Sequence, residues 1–329
     1  MDFPAEQELR WILRRTAELL ELGAEPVRGL VLPTAEFFPD HFDGTPKAVA
    51  SLLARLQHHA GLADLETEIA VVQPDGETEK ASCGTGGSCG TGGGCGDGGG
   101  HVIDASVQRI RRNADGSYTV TVGAGEASHP VALTTSLTRA VATMFLFEVD
   151  GFDEIPRLER EPLVDLAAVL LGFGVLMANG SHIYAKSCGG VNIQSATAMP
   201  VGEVAVALAM FCHLHEVPDR QAGKHLELTQ SEAFEEGAAW SRSNASILRR
   251  LRSDPAAVIK GDYSISEARS WLARKLGIGK PKGNHAPSED DLAVLEQDLK
   301  AAAKPRTAVD EQKAKKLAEL RALVDETLG

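Results

Sequence analysis

The run of apolar residues at 162–178 (PLVDLAAVLLGFGVLMA) constrains the fold more than any other part of the chain. Its apolar side chains cover nearly the whole circumference of a helix, and such a helix is buried in the middle of a protein. Asn179-Gly180 predicts its C-terminal end. Asp165 lies inside this helix, and an unpaired buried carboxylate is costly. We therefore expect another part of the chain to supply a partner for Asp165.

A second predicted helix and an acidic loop lead into this run. The helix covers 130–147, and the loop at 150–160 contains a proline. Glu161 lies one helical turn before Asp165, so both carboxylates point to the same side of their helix. This arrangement of two carboxylates beside a neighbouring helix is typical of a metal site.

Periodicity elsewhere predicts an α+β fold, in which a small sheet with a hairpin packs on a mostly helical bundle. Further helices are predicted at 4–22, 47–60, 203–215 and 230–252, strands at 27–32, 68–72, 102–109 and 117–124, and a polar connection at 181–200. The Asp-Gly pair in 113–116 predicts the hairpin turn. After residue 255 the composition changes, so we expect a domain at 1–255 and a helical C-terminal appendage at 256–329.

Charge and hydropathy limit the partners of the protein. The 329-residue chain has a formal net charge of −13 and a pI near 5.3, whereas nucleic acids and anionic membranes bind basic surfaces. The first residues, MDFPAEQELRWILRR, lack the apolar core of an export signal. The apolar run 166–178 is too short to span a bilayer. We expect a cytoplasmic protein that binds neither nucleic acid nor membrane.

An insertion at 82–101 repeats a glycine-rich hexapeptide and spaces Cys83, Cys89, Cys95 and His101 evenly, six residues apart. One interpretation is a low-complexity loop, because Gly, Thr and Ser cannot build a core and glycine is costly to order. Another is a site for zinc, another soft metal or an iron–sulfur cluster, since three thiolates and one imidazole supply four ligands. The spacing is wider than in known zinc knuckles. A third interpretation is a redox-active trio of thiols.

Two other groups of potential ligands have simpler interpretations. His41 and Asp43 lie in a loop rich in aromatic residues and prolines, where packing and capping are the usual roles. Cys212, His213 and His215 lie at the end of the predicted helix 203–215. A buried cysteine with histidines favoured by the helix dipole is more common there than a metal site.

Two segments resemble a group of bacterial proteins with a zincin-like layout. Residues 32–45 (LPTAEFFPDHFDGT) match the pattern L-P-T-x-E-F-F-P-D-x-F-D-G-T. Residues 161–179 match the pattern E-P-L-x-D-L-x-x-V-x-x-G-x-G-x-x-x-A-N. The resemblance covers residues 27–250 and implies a zincin-like α+β fold. In that group a helix of the form T-x-x-H-E-L-x-H carries two zinc-binding histidines and a general base.

In this chain the segment 135–142 (TSLTRAVA) falls on that metal helix. Thr138 and Ala142 stand where the pattern has histidines, and Arg139 stands where it has the glutamate base. Only Glu161 and Asp165, in the region of the third ligand, remain. A catalytic zinc takes three protein ligands and keeps an open position. The resemblance therefore implies a degenerate site without hydrolytic activity.

The same comparison suggests what replaces the metal. Without a dication, Glu161 and Asp165 would be buried beside each other and would repel. The guanidinium of Arg139 would offer a fixed positive charge from the helix that carries the metal in the pattern. We therefore predict that Arg139 pairs with Glu161, with Asp165 or with both.

Three hypotheses about function follow. The first is a catalytically inactive metallopeptidase-like protein that acts as a binding or scaffold module, without a cofactor. Its protein partner would bind at the former substrate cleft or at the C-terminal helices. The second is a metal-binding or thiol-redox protein that uses the Cys/Gly-rich insertion. The third is an active zinc peptidase with a rearranged site, for instance His101 or His129 together with Glu161.

Overall fold

The computed structural model describes residues 3–72, 109–123, 126, 129–149, 155–187 and 190–266. This part of the chain is a mixed α+β structure, which confirms the predicted fold class at that level. The elements are α1 (Glu6–Glu21), α2 (Pro46–Ala60), β1 (Thr67–Val72), β2 (Ile110–Arg112), β3 (Tyr118–Gly123), α3 (Pro130–Glu148), α4 (Arg157–Ala168), a π-helical turn (Val169–Phe173), α5 (Gly174–Gly180), β4 (Ile183–Ser187), β5 (Gly190–Gln194), α6 (Val201–Leu214), α7 (Asp219–Gly223), α8 (Leu228–Ser243), α9 (Ala245–Ser253) and α10 (Pro255–Ile259).

A three-stranded sheet has the order β1-β3-β2, with β1 parallel and β2 antiparallel to β3. The side chains of Tyr118, Val120 and Val122 alternate along β3 and are buried, as expected for a strand with one face on the core. β1 ends at Val72, and β2 begins at Ile110, at the same end of the sheet. The connection that contains the Cys/Gly-rich insertion therefore leaves and rejoins the sheet at one end.

The predicted hairpin is confirmed, with a shift in its first strand. Asn113 N–H donates to Ser117 O at 2.8 Å, and Gly116 adopts a φ of 88° in the turn. The strand that pairs with β3 is β2, whereas residues 102–108 of the predicted strand lie outside the described residues. The turn was predictable because an Asp-Gly pair supplies the left-handed backbone that such turns need.

The predicted strand at 27–32 is wrong. Gly29 has a φ of 67°, which is incompatible with an extended strand. The backbone N–H of Val31 donates instead to the carbonyl oxygen of Gly172 at 2.9 Å. Leu30, Val31 and Leu32 are buried where the backbone packs on the central helix rather than pairing in a sheet.

The sequence predicted one continuous central helix. In the structure this helix changes direction at Gly172. Gly172 has a φ of 100° between α4 and α5. A Cβ atom at this position would lie 2.3 Å from the carbonyl oxygen of Gly29. Only glycine meets both demands, the left-handed φ and the backbone contact.

Two other predictions need correction. The connection at 181–200 contains an antiparallel hairpin formed by β4 and β5. The predicted helix 230–252 is divided at Asn244 into α8 and α9. The side-chain amide of Asn244 accepts from Ser266 N–H at 2.8 Å and donates to Ser266 O at 2.9 Å. Since Asn244 binds a distant backbone segment at the break, the division has a tertiary cause that helical periodicity does not show.

The core lies between α3, the α4–α5 segment and α6, most of whose side chains are buried. α3 and α5 approach closely at Gly180, where a Cβ atom would lie 2.1 Å from Thr135 Oγ1. The same hydroxyl donates to Val131 O at 2.9 Å and to Leu176 O at 3.2 Å. The predicted burial of the apolar run is therefore confirmed.

Two helical segments are long and apolar enough to cross a membrane. They are Pro130–Glu148 and Arg157–Gly180, and 72% and 94% of their apolar windows are buried inside the protein. The second is longer than the run 166–178 considered in the sequence. Core helices of soluble proteins pass the same test, so these segments are weak evidence for a membrane span. The cytoplasmic location stays a prediction.

The chain divides into two compact units, residues 1–268 and 269–329. In the first unit, α10 packs on α1. The second unit, which contains most of the predicted C-terminal appendage, lies outside the described residues. The predicted boundary after residue 255 stays a prediction.

We predict that Gly172→Ala lowers the free energy of unfolding by about 2–4 kcal/mol, because alanine would combine a left-handed φ with a backbone clash. Chemical denaturation measures the change. Gly223→Ala is the control, since a Cβ atom there meets nothing within 4 Å. Equal stability of the two variants would show that the kink tolerates a side chain.

Candidate functional site

Arg139 joins the two acidic residues singled out in the sequence. Its guanidinium forms ion pairs with the carboxylates of both Glu161 and Asp165. The Arg139 side chain is 5% exposed, that of Glu161 is 31% exposed, and that of Asp165 is fully buried. The prediction that Arg139 pairs with one or both carboxylates is confirmed, and we call these three residues the ion cluster.

The local structure explains this geometry. Glu161 and Asp165 are four residues apart on α4, so that both carboxylates face α3. Arg139 lies in the middle of α3, among buried neighbours on both sides. An arginine held there needs acidic partners, because burial of an unpaired charge costs far more than its packing returns.

Asp165 has a second set of partners that the sequence did not reveal. Its Oδ2 atom accepts hydrogen bonds from the backbone N–H groups of Ala198 and Met199, both at 2.7 Å. These residues precede α6, so one buried carboxylate connects α3, α4 and the start of α6. Backbone donors have no residue-type signal, so only the need of Asp165 for a partner was predictable.

The other two positions of the implied metal helix are packed into the core. Thr138 is fully buried, and its hydroxyl donates to Thr134 O at 2.8 Å. Ala142 is also fully buried. Neither residue supplies a metal ligand, and Asp165 already binds a guanidinium and two amides. The residues present therefore do not fit a catalytic zinc ion.

No other metal-ligand cluster occurs in the described part of the chain, where no group of three or more His, Cys, Asp and Glu side chains could hold a metal ion. Cys83, Cys89, Cys95 and His101 lie outside that part. The alternative set combines His101 or His129 with Glu161, and of these three residues His101 lies outside the described part. These assignments stay predictions.

A pocket of about 500 Å³ lies beside the N-terminal half of α3. It is lined by Pro33, Thr34, Ala35, Phe38, Asp40, His41, Phe42, Ala48, Leu52, Arg55, Pro130, Leu133, Thr134 and Leu176. We call it the α2–α3 pocket. Its walls are mostly apolar, and Arg55 pairs with Asp40 at 2.8 Å on its rim. The ion cluster does not line this pocket, although Thr134 lies one turn from Thr138.

The segment 32–45 is fixed over the α2–α3 pocket by His59 of α2. His59 Nε2 donates to Phe37 O at 2.9 Å, and the rings of Phe37 and Phe38 lie edge-on to the imidazole at 5.6 Å. Burial lowers the pKa of His59, so this histidine is neutral at pH 7. It holds the wall of the pocket in place and does not serve as a general acid.

Asp43 has the capping role predicted for it. Its Oδ1 accepts from the hydroxyl of Thr45 at 2.7 Å and from Thr45 N–H at 3.0 Å. The hydroxyl hydrogen bond, followed by the backbone one, lowers the pKa of Asp43. The Thr45 hydroxyl in turn accepts from Ala48 N–H at 3.2 Å and caps α2. This carboxylate therefore orders the entry to α2, while His41 lines the pocket.

Cys212 is a buried free cysteine, as predicted. Burial raises the pKa of its thiol to about 12, with a smaller contribution from Asp219. The pKa values of His213 and His215 are both lowered, mainly by burial. All three groups are therefore neutral at pH 7, which agrees with a role in packing.

Glu203 is a perturbed acid that the sequence analysis missed. It lies half-buried in the first turn of α6. Burial raises its pKa to about 7, and the negative charge of Glu8 on α1 adds to the effect. The carboxyl is therefore partly protonated near neutral pH. No sequence signal could have identified it, because glutamate in a first helical turn is ordinary.

Comparison of the chain with models of known protein families, with curated proteins and with solved structures gives no match. The resemblance to the zincin-like group therefore rests on the two sequence patterns and stays a prediction.

We predict that Arg139→Met lowers the free energy of unfolding by about 3–5 kcal/mol, because it leaves the carboxylate of Asp165 buried without its cation. Urea denaturation measures the loss. The control is Arg14→Met, which breaks a surface pair with Glu18 at 2.9 Å and should cost less than about 1 kcal/mol. If both variants lose the same amount, the ion cluster does not stabilise the core.

We predict that Glu203→Gln stabilises the protein only above acidic pH. The folded-state pKa near 7 exceeds the reference value of 4.5, so the wild type loses stability as pH rises from 4.5 to 7. Glutamine removes this loss. The variant should equal the wild type at pH 4.5 and exceed it by roughly 1 kcal/mol at pH 8, since solvent screens a half-exposed carboxylate. Denaturation curves that differ equally at both pH values would contradict this.

Proposed function

We propose that the protein is a catalytically inactive, zincin-like binding module. The ion cluster carries this proposal. On the metal-helix pattern laid over residues 135–142, Arg139 stands at the position of a general base, and its guanidinium pairs with the two carboxylates of the third-ligand region. A positively charged group in that place substitutes for the charge of a metal ion without its Lewis acidity.

The hydrogen bonds of Asp165 support the same proposal. Its Oδ2 accepts two backbone N–H groups, and its other oxygen pairs with Arg139. A carboxylate with this set of partners is committed to holding helices together. An arginine cannot act as a general base, because its guanidinium stays protonated in proteins. Metal-dependent hydrolysis at this position would need Asp165 and Arg139 to give up these contacts.

The proposed binding surface is the α2–α3 pocket, and the proposed occupant is an apolar side chain of a protein partner. Its volume of about 500 Å³ lies within the range of ligand pockets. The C-terminal helices predicted for residues 256–329 would form a second contact surface.

The charge of the chain supports the choice of a protein partner. A net charge of −13 disfavours nucleic acid and anionic lipid, and the proposed location remains the cytoplasm. Binding in the α2–α3 pocket would depend on burial of apolar surface, which is insensitive to net charge.

Selection from a random peptide library displayed on phage tests the proposal. We expect the wild-type protein to enrich peptides with an apolar anchor residue, and we expect Ala48→Trp, which fills the α2–α3 pocket, to lose them. Leu228→Asp is the control, because Leu228 is 76% exposed and lies outside the pocket. Mass spectrometry should show the bound peptides intact. Enrichment of the same peptides by Ala48→Trp would contradict the binding site.

Elemental analysis of protein purified without a His tag tests inactivity separately. We expect no metal that supports hydrolysis, so a chelator should not change the fate of any selected peptide. Cleavage that the chelator inhibits would overturn the proposal in favour of a rearranged zinc peptidase. Stoichiometric metal that is lost in a Cys83→Ser, Cys89→Ser and Cys95→Ser variant would instead support a metal site in the insertion.

A further inference from the structure

A second pocket, of about 490 Å³, lies at the C-terminal end of α6, on residues that the proposed function does not use. Its lining residues are Cys212, His213, Leu214, Glu216, Val217, Pro218, Asp219, Arg242, Leu248, Arg249 and Arg252. Three of these residues are arginines, in a chain whose net charge is −13. We call it the arginine pocket.

The three arginines lie on α8 and α9, on either side of the break at Asn244. Arg242 lies in the last turn of α8, and Arg249 and Arg252 lie on α9. The side chain of Asn244 holds the break by bonding to Ser266. Their spacing of seven and three residues places them close to one side of this helical segment, and the pocket forms where that side meets the end of α6 and the start of α7. The arginine pocket is therefore a product of the tertiary structure.

Two of the arginines have acidic partners in exposed ion pairs. Arg242 Nη1 lies 2.5 Å from Asp219 Oδ2, and Arg252 Nη1 lies 2.8 Å from Glu216 Oε1. Each of the four side chains is more than 40% exposed. Exposed pairs of this kind contribute little to stability, so a ligand can compete for these guanidinium groups at low cost.

Arg249 differs from the other two. Among the described residues it has no carboxylate within 4.0 Å, and its Nε atom donates only a long hydrogen bond of 3.4 Å to Ala245 O. Burial lowers the pKa of His213, which faces Arg249, Arg242 and Asp219. His213 is therefore neutral at pH 7, and the pocket keeps one net positive charge, that of Arg249.

The remaining lining residues determine what kind of anion fits. Leu214, Val217, Pro218 and Leu248 give the pocket an apolar wall, and its volume exceeds that of a bare inorganic anion. The Cys212 thiol has a pKa raised to about 12 by burial, so it brings neither negative charge nor a nucleophile. An anion with an apolar body would complement both the arginines and this apolar wall.

The backbone at the edge of the arginine pocket contains a left-handed residue. Glu216 has a φ of 57°, the one left-handed residue other than glycine in the described part of the chain. Val217 N–H donates to Cys212 O at 2.8 Å, so this left-handed residue ends α6, and its carboxylate pairs with Arg252.

We propose that the arginine pocket binds a small organic anion, a phosphate or carboxylate on an apolar body. Arginine binds both groups through paired N–H donors. Arg249 would form the main contact, with Arg242 and Arg252 turning part of their donors from Asp219 and Glu216 to the ligand. This site is independent of the α2–α3 pocket and of the proposed function.

Isothermal titration at constant ionic strength tests the proposal with four probes: phenyl phosphate, benzoate, inorganic phosphate and phenol. We expect phenyl phosphate, benzoate or both to bind at least fivefold more tightly than inorganic phosphate, and phenol not to bind. Preference between the first two identifies the anion. Failure of both to bind, or equal binding of phenol, would overturn the proposal.

Matched variants locate the site. Arg249→Gln should weaken binding of the best probe at least tenfold, whereas Arg250→Gln, a neighbour outside the pocket that donates to Asp262 O, should not change it. Equal affinity of the two variants would overturn the assignment. In the wild type, the bound probe should protect Arg249 but not Arg250 from phenylglyoxal, as read by mass spectrometry. Equal modification of Arg249 with and without the probe would also overturn it.

Discussion

A fully buried carboxylate, that of Asp165, is the constraint on which the helical core depends. Its charge is balanced by the guanidinium of Arg139 and by two backbone N–H groups that precede α6. Since each partner belongs to a different element, α3, α4 and α6 can pack only in the arrangement that satisfies this one group. Apolar side chains supply most of the driving force, but they are compatible with many arrangements, and the carboxylate is not.

Backbone contacts restrict the same core in a second way. The carbonyl oxygen of Gly29 lies where a side chain at residue 172 would be, and the chain before α6 wraps back on Asp165. The central helical segment is thus fixed by a main-chain group at its kink, and by both main-chain groups and an ion pair at Asp165. Such contacts need close approach, which explains why a layer of ordinary aliphatic residues contains glycines at its crossing points.

Helices that bury one face and the Asp-Gly hairpin were predictable, because their signals are local. The need of Asp165 for a partner was also predictable, since it follows from burial alone, and Arg139 was identified from the resemblance. The kink at Gly172 was not predictable, because its cause is a carbonyl group distant in sequence. The same holds for the division at Asn244 and for the arginine pocket, where α8 and α9 meet the end of α6 from a distant part of the sequence.

The candidate site was predicted in part. Asp165 was found because a charged residue in an apolar run is a visible contrast in a sequence. Glu161 was found from its spacing of one helical turn, and Arg139 from the resemblance. The amides of Ala198 and Met199 and the shifted acid Glu203 were missed, since backbone donors and a glutamate in a first helical turn carry no such contrast. The α2–α3 pocket was predicted only in part. The segment 32–45 over it was recognised as a pattern, but the cavity was not.

The connection that leaves β1 and enters β2 at one end of the sheet has a consequence for how this protein can change over time. β1 pairs directly with β3 along its whole length, so the register of the sheet does not depend on how many residues intervene between Val72 and Ile110. Gain or loss of a six-residue repeat there changes the number of intervening residues and leaves the strand pairs as they are. The Cys/Gly-rich repeats can therefore vary in number under selection that acts on them alone, while the core evolves under separate constraints.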